Sequence, residues 1–191
     1  HNVLRRFAGK GTAPVVFLGA DAVTSGNWTN RYGSEGHWIA DTSPITNIPA
    51  YAQVILSNQH VQVWANPSSD PKALLNPASF TNRIAAAWTT TNTQGASFTI
   101  DVNLVVGHTN QVALYCVDWL ATGSLVQRIE VFDSGDTTFS TPLDVRSFAI
   151  PANATYLVWR LEGYKVIRIT KLDNTFDNIA MVSAIFFDPS P

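Results

Sequence analysis

The sequence predicts an all-β protein, an antiparallel β-sandwich of jelly-roll type, and three observations predict it. About eleven or twelve short apolar-rich runs follow one another along the chain. The segments between them are rich in Gly, Asn, Asp and Pro, and helical periodicity is almost absent. One run, Gln111-Val-Ala-Leu-Tyr-Cys-Val-Asp-Trp119, is apolar on both faces. Val112, Leu114 and Cys116 point one way, and Ala113, Tyr115 and Val117 the other. Such a strand belongs in the middle of a sheet covered on both sides.

The remaining elements follow in chain order. Residues 1–13 read as an N-terminal arm carrying Arg5, Arg6, Phe7 and Lys10, and residues 14–191 as a single β-sandwich domain. Pro14 to Leu18 is a first strand, and Asp21 to Gly36 a long polar loop with Trp28 and Tyr32 inside it. His37–Ala40 and Tyr51–Leu56 are short strands separated by Pro44 and Pro49, which cannot sit in a ladder interior. Ser57-Asn-Gln is a turn, and His60–Ala65 alternates as the return strand. In the segment Asn66 to Asn82, Lys72–Leu75 is the only helical hint. Ser97–Leu104 places Phe98, Ile100, Val102 and Leu104 on one face and polar residues on the other, the half-buried antiparallel pattern. Strands at Arg83–Trp88, Val126–Phe132, Val145–Ile150, Tyr156–Leu161, Lys165–Thr170 and Ile179–Phe187 complete the set.

Composition removes several classes of function. With 191 residues the chain is long enough for a sizeable core, and charged residues make up only 14%. A net charge of -2 argues against nucleic acid, which needs a basic face. No apolar run approaches bilayer-spanning length, so no membrane insertion is expected. Cys116 is the only cysteine, which excludes an intramolecular disulfide, and on a buried strand it reads as an inert small hydrophobe. A start at His1 without methionine is the pattern of a processed, exported chain. Asn27-Trp-Thr and Asn153-Ala-Thr are glycosylation triplets.

No catalytic motif stands out. Of the six tryptophans, Trp64, Trp88 and Trp159 lie on alternating strands and read as core. Trp28, Tyr32 and Trp119, with Asp118 beside the last, are the candidates for a sugar-stacking platform; the other reading is hydrophobic plugs under a long loop. Eleven of the fourteen acidic residues are Asp, mostly in turns such as Asp133-Ser-Gly-Asp136 and Asp173-Asn-Thr-Phe-Asp177, where they brace the backbone. These oxygen-rich loops could also hold a structural Ca²⁺, but none has a coordination spacing, and no other cofactor is expected. His1 could chelate copper with a second histidine, as polysaccharide monooxygenases do, but the flanking residues do not match.

The series Leu18-Gly-Ala-Asp21, Gly26-Asn-Trp28, Tyr32-Gly33, Arg83–Trp88, Phe98–Asp101, Gln111–Tyr115, Asp118-Trp119, Tyr156–Trp159 and Ile167–Thr170 resembles a recurrent domain of secreted bacterial proteins. That domain is similar in outline to galactose-binding-like jelly rolls and carbohydrate-binding modules. The resemblance spans Pro14 to Pro189, implies a secreted jelly roll, and brings no ligand residues with it. The leading expectation is a non-catalytic extracellular structural subunit that self-assembles as a homo-oligomer or polymer through its arm. The alternative is a carbohydrate-binding module for a polysaccharide, and a copper-dependent oxidase centred on His1 is a distant third.

Overall fold

The computed structural model describes residues 14–43, 45–119, 125–150, 154–175 and 178–191. The arm with Arg5, Arg6, Phe7 and Lys10, and the sequon residue Asn153, lie outside them. The larger sheet has six antiparallel strands in the order β1 (Val16–Asp21), β12 (Thr155–Glu162), β9 (Thr109–Cys116), β15 (Ala184–Pro189), β2 (Gly36–Ile39) and β3 (Ile45–Asn47). The second sheet has five, in the order β11 (Asp144–Ala149), β10 (Val126–Asp133), β13 (Tyr164–Lys171), β8 (Ser97–Leu104) and β4 (Ala52–Ser57). A small sheet runs β14 (Met181–Val182), β7 (Arg83–Thr89) and β5 (His60–Ser68), and β6 (Leu74–Leu75) also pairs with β7. The chain is therefore an all-β antiparallel sandwich, the predicted class.

Strand β9 is two-faced, as its sequence requires. Val112, Leu114 and Cys116 join Leu157, Trp159, Ile185 and Phe187 of their own sheet, and pack with Phe98, Ile100, Val131, Ile167 and Ile169 of the five-stranded sheet. Ala113, Tyr115 and Val117 join Tyr156, Val158 and Phe186 in a second apolar cluster on the opposite side of the six-stranded sheet. That second layer is closed by Trp28, Tyr32, Leu74, Ile84 and Ala86. Strand β8 alternates between buried and half-buried residues along its whole length, the pattern of a sheet with one wet face.

Three local expectations are corrected. His60–Ser68 is not the return strand of Ala52–Ser57: β4 pairs with β8, β5 pairs with β7, and the turn at Asn58 carries the chain from one sheet to another. Lys72–Leu75 is not helical, because Leu74 and Leu75 pair with Ile84 and Arg83. A third strand, Ile45–Asn47, fits between Pro44 and Pro49 because it is the sheet's edge and ends before the second proline. At the opposite edge, β1 shifts register between Phe17 and Gly19. Gly19 has φ 141, which an L side chain rarely adopts, so glycine permits this bulge.

Candidate functional site

Trp28 and Tyr32 are plugs, not a platform. Each is 4% exposed. Trp28 opens a 3-10 turn, and its ring lies 5.0 Å from Phe186 and 4.9 Å from His37. Its Nε1 donates to the Leu75 carbonyl at 2.9 Å. The Tyr32 ring stacks on Tyr156 at 4.2 Å, and its hydroxyl donates to Asp21 Oδ2 at 3.0 Å. The physical reason is the second apolar face of β9, β12 and β15, which must be kept from water. Asp118 is fully buried and offers nothing at the surface.

Trp119 is different. It leaves β9 half-buried, and its ring lies 5.9 Å from that of Trp64, tilted by 29°. Trp64, expected in the core with Trp88 and Trp159, is also only half-buried. The Trp119 Nε1 donates to Ser183 Oγ at 3.2 Å, which fixes the plane of the indole. Lys72 Nζ stands 5.8 Å from the Trp119 ring centre and 3.7 Å from Asp70 Oδ2. The result is an aromatic pair flanked by a cation and a carboxylate. Alternation on β5 hid Trp64, and only the fold brings Lys72 and Trp119, far apart in the chain, together.

A separate groove of about 310 Å³ lies on the six-stranded sheet, lined by Leu18, Gly19, Ala20, Asp21, Arg31, Tyr32, Gln111 and Val158. Strands β1, β9 and β12 supply its floor, and the loop bearing Arg31 and Tyr32 its wall. Asp21 organises that wall. Its Oδ1 accepts from the Val23 and Thr24 amides at 2.8 and 3.1 Å, and its Oδ2 from Thr24 Oγ1 at 2.6 Å. Arg31 Nε meets the same Oδ2 at 3.0 Å. Burial alone raises the Asp21 pKa, but the hydrogen bonds from Thr24, Val23 and Tyr32 outweigh it and hold the group at about 2.

The other sequence candidates are quickly placed. Asn27 is exposed, and its Oδ1 accepts from Arg83 Nη2 at 2.6 Å. Asp133 and Asp136 accept hydrogen bonds from nearby amides, those of Gly135 and of Thr138, Ser140 and Thr141 respectively. Asp173 similarly accepts from the Thr175 amide at 3.1 Å and the Val126 amide at 3.2 Å. Among the described residues no group of three or more His, Cys, Asp or Glu is placed to hold a metal. No described helix is long and apolar enough to cross a membrane.

No family model and no curated protein matches the chain. Solved structures do. An exo-β-1,3-galactanase from Phanerochaete chrysosporium aligns with TM-score 0.42 and 13% identity over 81% of this chain, which spans 30% of that enzyme. A family 35 carbohydrate-binding module from an environmental isolate aligns with TM-score 0.38 and 16% identity, over 71% of this chain and 93% of the module. A second such module, from Cellvibrio japonicus, gives 0.37 and 9%, over 73% and 95%. The resemblance to carbohydrate-binding modules thus holds at the level of a β-sandwich fold. The leading expectation, a self-assembling structural subunit, is corrected: the solved structures that align with this chain include family 35 carbohydrate-binding modules. At such scores the ligand must be argued from this chain's own surface.

Proposed function

We propose that this chain is a non-catalytic, extracellular carbohydrate-binding domain that holds a polysaccharide against Trp64 and Trp119. The observation that carries this reading is the half-buried stacked pair itself. Indole rings are large, flat and apolar with a polar edge, so their remaining exposed surface suits the C–H face of a sugar ring. Lys72 and Asp70 stand beside the pair to donate to and accept from the hydroxyl groups of that sugar.

The test is a glycan array followed by calorimetry on the polysaccharides that bind. Trp64→Ala and Trp119→Ala are each expected to weaken binding about tenfold or more while the circular dichroism stays that of a β protein. Retention of full affinity in both variants, or the absence of any bound glycan, would remove the proposal.

A further inference from the structure

The groove beside Arg31 lies on the six-stranded sheet and shares no residue with the tryptophan pair. Its floor is apolar except at Gln111: Val158, Leu18 and Ala20 line it, and apart from its chain neighbours no atom lies within 4 Å of where a Cβ on Gly19 would sit. Its wall is polar. The Arg31 side chain is 66% exposed and carries five N–H donors, some of them engaged by Asp21, at 3.0 Å from Nε, and by Tyr32. Gln111, half-buried on the floor, adds an amide that both donates and accepts. A volume of about 310 Å³ is at the small end of ligand pockets.

Charge narrows the class of ligand. Asp21 sits against Arg31 at 3.0 Å, so the two together bring no net charge to the groove. An anion approaching the guanidinium would also meet the Asp21 carboxylate in the groove lining, which Thr24, Val23 and Tyr32 hold in place. What remains is a surface that donates and accepts hydrogen bonds over an apolar floor, with little net charge. A neutral sugar ring has that composition, with hydroxyls at its rim and C–H groups on its faces.

From this juxtaposition we infer that the groove formed by Gly19, Ala20, Arg31, Gln111 and Val158 is a second binding site, taking a single neutral sugar unit by hydrogen bonding and without aromatic stacking. The inference does not rest on the tryptophan pair. A chain with two such sites would hold a polysaccharide at two points, so the sites would reinforce one another on a chain long enough to reach both.

The experiment is titration of the isotope-labelled full chain with glucose, galactose, mannose, xylose and rhamnose, read by amide NMR. At least one sugar is expected to move the Gly19, Ala20, Arg31 and Tyr32 amides and the Gln111 side-chain amide in a saturable way. The response should persist in Trp64→Ala. It should weaken about tenfold in Arg31→Ala and in Gln111→Ala, and in Ala20→Ile, which fills the groove from an exposed position. Because the ligand is neutral, affinity should change by less than about twofold between low and high salt. No shift with any of the sugars, loss of the response in Trp64→Ala, or tighter binding of glucuronate than of glucose would each overturn the inference. Failure of the tryptophan site would leave these amide shifts in place, so the two proposals fail separately.

Discussion

The Tyr32 hydroxyl donates to Asp21 Oδ2 across 3.0 Å, and this bond ties the end of an edge strand to the loop that seals the second apolar layer. Asp21 is therefore a structural carboxylate as well as a wall of the groove. Its pKa lies at about 2 against an ordinary 3.8, so between those values the unfolded chain takes up a proton that the folded chain refuses. Stability must then fall as the pH drops from about 4 towards 2, by about 1–2 kcal/mol from this group. Urea unfolding of wild type and Asp21→Asn across that range checks it. The variant should be less stable at neutral pH and should lack this part of the acid dependence.

Gly26 is expected to tolerate no side chain. A Cβ there would lie 2.1 Å from the Ala73 carbonyl oxygen and 2.6 Å from that of Pro71, and both are backbone. The same glycine receives the Leu75 amide and donates to Pro71, so the two segments cannot separate without losing those bonds. Gly26→Ala should cost about 2–3 kcal/mol, read from the urea midpoint. A variant as stable as wild type would show that the loop moves freely at this point.

How far the sequence reached depends on whether a signal was local. The two-faced run of β9 and the strict alternation of β8 are properties of single strands, and both led to the right faces. Trp28 and Tyr32 looked like loop aromatics because their neighbours are polar. Only the approach of Phe186 and Tyr156, more than a hundred residues away, buries them. Trp64 looked like core because β5 alternates, yet β5 is the edge of a small sheet and leaves the indole half in water. The groove was invisible for a different reason. Its walls come from Leu18–Asp21, Arg31–Tyr32, Gln111 and Val158, joined only by strand order and by a bulge that no local pattern announces.

Cys116 should be chemically silent in the native protein. It is fully buried, and burial pushes its thiol up to about 12 even though Gln127 Nε2 approaches the sulfur at 3.6 Å. A thiol reagent at pH 8 is expected to label no cysteine until urea is added, and then one per chain. Rapid labelling without denaturant would mean that β9 opens far more readily than its two buried faces imply.

Lys171 is the sharper test of how the loops at that end of the five-stranded sheet are held. It is 1% exposed, and its ammonium group donates to the Asn92 and Thr175 carbonyls, each at 2.7 Å. Asp173 Oδ1 stands 3.6 Å away. A protonated amine surrounded by two carbonyls and a carboxylate does there what a bound metal ion does in other loops, which is to gather oxygens that would otherwise repel. Lys171→Met keeps the volume and removes the charge, leaving two carbonyls and a largely buried carboxylate without their partner. The loss should be about 3–5 kcal/mol. Asp173→Asn in the Lys171→Met background removes the stranded charge and should recover part of that loss, so the two changes would be non-additive. Additive losses would mean that the ammonium serves the two carbonyls alone, and that Asp173 acts only through the Val126 and Thr175 amides it accepts.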